Sequence, residues 1–172
     1  CCAVWVFVSI IGVAIKAELG LTEFEFGLLV ATPVLTGSLT RLFLGVLTEK
    51  YGGRIVFTSQ MLLTAAATWM LTWASSYVMY LVAALGIGLA GGSFIIGVAY
   101  VSRFYDAGHQ GTALGIFGAG NVGAAVTEFV APFVMVAYGW PGVAHVWAIG
   151  IAIMAVAFFL FAQDDQGLCA RR

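Results

Sequence analysis

Arg41, Asn121 and Glu128 stand in stretches that are otherwise apolar, and each could do chemistry there. A guanidinium such as that of Arg41 is planar, permanently charged and offers paired N–H donors, which suits a small planar oxyanion. Arg41 lies ~10 Å of helix rise before Thr48, where polarity returns. That puts it inside the hydrocarbon of a bilayer, displaced toward one side. Inserting it costs at least ~2.5 kcal/mol. Two readings stand: a bundle-facing cation that binds an anion, and a side chain snorkelling to the interface. Asn121, within Gly118-Ala119-Gly120-Asn121-Val122-Gly123, offers both donors and an acceptor. It suits an interhelical hydrogen bond or contact with a ligand. Glu128 is the one acid deep in an apolar run. It can load and release a proton, or pack as a neutral or paired carboxyl.

The glycines show spacing of their own. Gly88 and Gly92 form a GxxxG pair, and Gly111, Gly115, Ala119 and Gly123 recur every four residues. Small residues at that interval predict close approach of a neighbouring helix. Gly118 and Gly120 fall off the stripe and make the helix small on a second face. Other chemistries lack their residues. Cys1, Cys2 and Cys169 have no metal spacing and form no disulfide framework. No nucleophile–base pair appears. The glycines near Asn121 lack the preceding strand and the lysine of a phosphate loop. Neither an enzyme, a metal site nor a cofactor is expected.

The elements that must position these residues follow from composition. Hydrophobic residues make up 62% of the chain and charged residues 9%, and mean hydropathy is +1.05. A soluble domain is about 25% charged, so the apolar surface here must be solvated by the lipid bilayer. A net charge of −1 leaves no basic face for nucleic acid. Charges and turn residues divide the chain into six helices at about 1–15, 25–47, 55–74, 77–103, 111–137 and 143–162. The first run is short for a span of roughly 20 residues and opens without methionine, which reads as a truncated first helix. Residues 166–172 read as a disordered or truncated tail. Lys50, Arg54 and Arg103 share one side with Arg171 and Arg172, and Lys16 stands opposite. The positive-inside rule makes loops 48–54 and 103–110 cytoplasmic. Trp73, Tyr77, Tyr138 and Trp140 fall at the outer boundary as an aromatic belt. At the inner edge, His109 anchors to the cytoplasm and Arg103 anchors, caps or locks a gate.

Gly45-Val46-Leu47-Thr48-Glu49-Lys50-Tyr51-Gly52-Gly53-Arg54 resembles the signature between the second and third helices of the major facilitator superfamily. Glu49 stands where that family usually has Asp, and Lys50 where it often has Arg. Gly111 to Gly123 resembles the fifth-helix nitrate signature of the nitrate/nitrite porters. Thr36 to Arg41 and Gly88 to Ser102 are similar to the same family, and the resemblance covers about residues 4 to 165. It implies an all-α membrane protein, whose residues 1–165 form the six-helix amino-terminal bundle of a twelve-helix transporter. The anion then binds between two bundles. Arg41 is implied as the substrate arginine of this half, with Asn121 and Phe94 lining the same site. The second substrate arginine lies in the carboxyl-terminal six-helix half, absent here. Gly45, Glu49, Lys50, Gly53 and Arg54 are implied as the cytoplasmic gate motif, and Gly111, Gly115, Gly118, Gly120 and Gly123 as the nitrate signature. Glu128 matches no functional position of the family. The resemblance implies nitrate or nitrite transport in the plasma (inner) membrane for nitrate assimilation, as proton-linked import or as exchange. Another small anion on the same fold, or a non-transporting helical scaffold, are the alternatives.

Overall fold

The computed structural model describes residues 2–106 and 108–163, so Cys1, Cys169 and the expected tail lie outside them. Among the described residues seven α-helices follow one another: α1 Cys2–Leu19, α2 Glu23–Tyr51, α3 Gly53–Leu71, α4 Tyr77–Gly88, α5 Ser93–Ser102, α6 Gln110–Gly118 and α7 Val122–Phe161. Short 3₁₀ turns, Leu89–Gly92 and Ala119–Asn121, join α4 to α5 and α6 to α7. No strand occurs among the described residues. Three helical stretches, 23–51, 77–102 and 110–161, are long and apolar enough to cross a membrane. Within α7, Gly139 leaves the helical region at φ 72° and ψ 174°. The long stretch is therefore two helices meeting at a glycine, the residue that tolerates positive φ without strain.

Several boundaries differ from those expected. Glu49 and Lys50 belong to the last turn of α2, and Gly53 and Arg54 to the first turn of α3, so Gly52 alone replaces the expected loop 48–54. Its φ of 91° turns the chain, while its N–H still reaches the carbonyl of Thr48 at 3.1 Å. The first helix continues past residue 15 through Lys16 and Glu18 to Leu19. At α2 the start is sharp. Thr22 and Glu25 exchange backbone hydrogen bonds as a capping box, satisfying donors a helix end leaves orphaned. The expected turn at 138–142 contracts to the break at Gly139, and α3 ends at Leu71 rather than at 74.

Packing places α3 at the centre, against α7, α4, α5 and α2. Ten of its nineteen residues are buried, among them Thr58, Gln60, Thr64 and Thr68. That polarity keeps it below the hydropathy of a lipid-facing span. Val4, Val8, Ile11 and Ile15 bury one stripe of α1, in one core with Leu71, Ile87, Ala131 and Val143. The outer surface is apolar too: Phe43, Phe129, Val136 and Phe161 are mostly exposed, as suits a molecule dissolved in lipid.

The glycines of α4 and α5 set the approach of α2. A Cβ on Gly88 would stand 2.6 Å from Thr36 Cβ and 2.8 Å from the carbonyl of Pro33. A Cβ on Gly92 would run into the end of the Leu44 side chain and leave Thr40 at ordinary contact distance. The facing stripe of α2 is threonine. Thr32, Thr36, Thr40 and Thr48 each donate to the carbonyl four residues back, at 2.6 to 3.0 Å. Their hydroxyls are thus satisfied within the helix, and their methyl groups are left to pack.

Candidate functional site

A cavity of about 290 Å³ opens where α1, α2, the Leu89–Gly92 turn, α5 and the start of α7 converge. Val6, Ala90, Gly91 and Ala124 line it with Arg41, Ser93, Phe94 and Asn121. The structure therefore brings Arg41, Phe94 and Asn121, singled out from three separate helices, onto one hollow. Arg41 does not snorkel toward the end of α2. Its Nε donates to the carbonyl of Gly91 at 3.2 Å, so the guanidinium turns across the bundle. Among the described residues its Nη groups make no hydrogen bond, which leaves that edge of the fork for the cavity. Among the described residues no acidic side chain lines the hollow.

Phe94 is held from behind. Its ring lies 5.6 Å from that of Phe117, tilted 41°. Phe117 in turn fills the space a side chain at Gly97 would need. Ser93 is buried, and its Oγ donates to the Ala90 carbonyl at 2.6 Å. Reading the residues alone missed Ser93 and Gly91. Their signal, a Gly-Gly-Ser run inside a strongly apolar helix, was present but had no partner in the sequence to give it meaning.

The remaining candidates scatter. Gly111, Gly115, Gly118, Gly120 and Gly123 face open space, with nothing within 4 Å of a Cβ built on any of them. The close helix contact expected of that stripe is not made within the described residues. Glu128 is exposed on α7, one helical turn beyond Ala124 on the same face, and does not line the cavity. Its side chain is therefore not packed among the described residues.

The gate-motif residues lie at the other end of α2. Gly45 approaches Ile95, while Glu49 and Lys50 are exposed. Gly53 lets α3 start against the Tyr100 ring, whose Cδ2 would stand 2.5 Å from an added Cβ. Arg54 donates from Nε and Nη2 to the Phe159 carbonyl at 3.0 and 2.6 Å and lies over the Phe159 ring. Tyr100 donates to the Gln163 carbonyl at 2.6 Å. Arg103 and His109 are exposed in the turn between α5 and α6. At the opposite end Lys16 pairs with Glu23, Tyr77 donates to the Glu25 carbonyl, and Trp140 Nε1 donates to Glu18 at 2.7 Å.

Comparison with known proteins adds a family. The sequence model described as Major Facilitator Superfamily matches residues 1–168. The chain is 37% identical to the probable nitrate/nitrite antiporter NarK1 of Thermus thermophilus, 34% to the nitrite extrusion protein of Bacillus subtilis (strain 168) and 30% to the probable nitrate transporter NarT of Staphylococcus carnosus (strain TM300). Each match covers 95% of this chain but only 40%, 41% and 42% of the relative.

Proposed function

Because this chain belongs to the Major Facilitator Superfamily, and is thus an integral membrane protein of the transporter type, we propose that the complete protein carries nitrate or nitrite by alternating access. In this reading the chain supplies the six-helix amino-terminal bundle, and a carboxyl-terminal bundle closes the opposite wall. The observation that carries it is the convergence of Arg41, Asn121 and Phe94 on one cavity whose described lining holds no acid. The names of the relatives support the choice of anion.

The geometry suits the task. With Nε engaged by Gly91, Arg41 offers its two Nη groups as an end-on fork. A planar oxyanion can accept from both. Asn121 supplies an amide beside it, and the Phe94 ring gives an apolar wall that excludes water. In such surroundings a charge-assisted hydrogen bond is stronger than in bulk water, which offsets the dehydration of the anion. Arg41 and Asn121 are both exposed in this chain, as befits one wall of a site shared by two bundles. The reading places Lys50, Arg54 and Arg103 on the cytoplasmic side of the plasma membrane. It gives Gly45, Glu49, Lys50, Gly53 and Arg54 the inward gate, with Arg103 at its edge. Coupling to a proton, with Glu128 as its carrier, is an optional part of the scheme.

The test is nitrate uptake by the full-length protein with Arg41→Lys. A point charge without the planar fork should raise KM at least about tenfold. Near-normal KM and rate would sink the role given to Arg41. Competition among nitrate, nitrite, chloride and formate separates this reading from another small anion. A non-transporting scaffold predicts no uptake at all.

A further inference from the structure

The Leu89–Gly92 turn interrupts an otherwise helical stretch in the middle of the fold. A 3₁₀ turn shifts the backbone pairing and exposes carbonyls to neighbours. In an apolar interior those acceptors need partners. Three successive carbonyls here have them, each from a different side chain. Leu89 accepts from Gln60 Nε2 of α3, Ala90 from Ser93 Oγ, and Gly91 from Arg41 Nε of α2. Gln60 is 3% exposed, and its amide faces no cavity described here. A polar side chain so deeply buried on the central helix is costly unless it bonds. Among the described residues its Nε2 bonds the turn that holds Arg41, while its Oε1 has no partner.

We propose that Gln60 is a positioning residue for the anion site: by clamping the Leu89 carbonyl it fixes the Leu89–Gly92 turn, so that the Gly91 carbonyl orients the Arg41 guanidinium toward the cavity. The inference rests on the reading of Arg41 as the anion-binding group. Gln60 never touches the anion. Its loss acts on the ligand only through Arg41.

The test uses the full-length protein reconstituted in liposomes, with nitrate as the probe. Gln60→Met keeps the volume and removes the donor. It should raise the nitrate KM roughly tenfold, with kcat within about twofold. In an Arg41→Lys background the same change should add almost nothing to KM, because the two residues act through one contact. Full multiplication of the two effects, or an unchanged KM in a normally inserted Gln60→Met protein, overturns the proposal. Gln60→Asn retains an amide but not the reach to Leu89. It should show the same KM rise even if the Met variant inserts poorly, and a wild-type KM in that protein also overturns the proposal. An Arg41→Lys protein with normal affinity instead removes the anion-site reading itself, whatever Gln60 does.

Discussion

Asn121 shows how narrow the chemistry of the proposed site is. The nearly isosteric Asn121→Asp places a carboxylate on the wall that carries Arg41. It would compete with a bound anion for the guanidinium and repel it. Nitrate KM should therefore rise more for Asn121→Asp than for Asn121→Ala, measured by uptake in the full-length protein. The reverse order would mean that the amide only packs. Residue type explains why this part of the site was legible in the sequence. An arginine and an asparagine are conspicuous among leucines, valines and glycines. Gln60 was not conspicuous, because α3 also carries Thr58, Thr64 and Thr68. Threonines can satisfy themselves within a helix, as Thr58 and Thr68 do on carbonyls four residues back. The glutamine hid in that company, and its partner carbonyl is a backbone group with no mark in the sequence.

The all-α character was legible in the composition, the joints between helices much less so. The two 3₁₀ turns have no composition of their own. Leu89-Ala90-Gly91-Gly92 could equally continue a helix, and the tight approach of α2 accompanies its tightening. The same is true of the glycines. Spacing alone could not tell Gly88, pressed on Pro33 and Thr36, from Gly115, which faces open space. The two should respond differently to a single methyl group. Gly88→Ala must push apart backbone and a β-branched side chain, and should cost about 1–3 kcal/mol, seen as a lower Tm of the purified full-length protein. Gly115→Ala meets nothing among the described residues, and its helix should not lose stability. Loss of transport in a Gly115→Ala protein of normal Tm would locate the contact of that stripe in the second bundle.

At the scale of the whole molecule, polar fastenings tie the helices together at both ends as well as at the central turn. One end joins α3 to α7 through Arg54 and Phe159, and α5 to the end of α7 through Tyr100 and Gln163. The other joins α1 to α2 through Lys16 and Glu23, and α1 to α7 through Glu18 and Trp140. The proposed orientation can be checked directly. In a background cleared of native cysteines, Glu49→Cys should react with an impermeant maleimide from the cytoplasmic side and Glu23→Cys from outside. The opposite pattern would invert the topology. The distribution of charge along the chain is what supports the proposed orientation, whereas the adjacency of α1 and α7 has no mark in the sequence, since no local rule pairs helices so far apart. That adjacency bears on how the protein is made. Glu18 and Trp140 are 122 positions apart, so a ribosome must add all the residues between them before the bond can form. Until then the face of α1 that meets α7 stays uncovered, and the two are joined only when the later helix arrives.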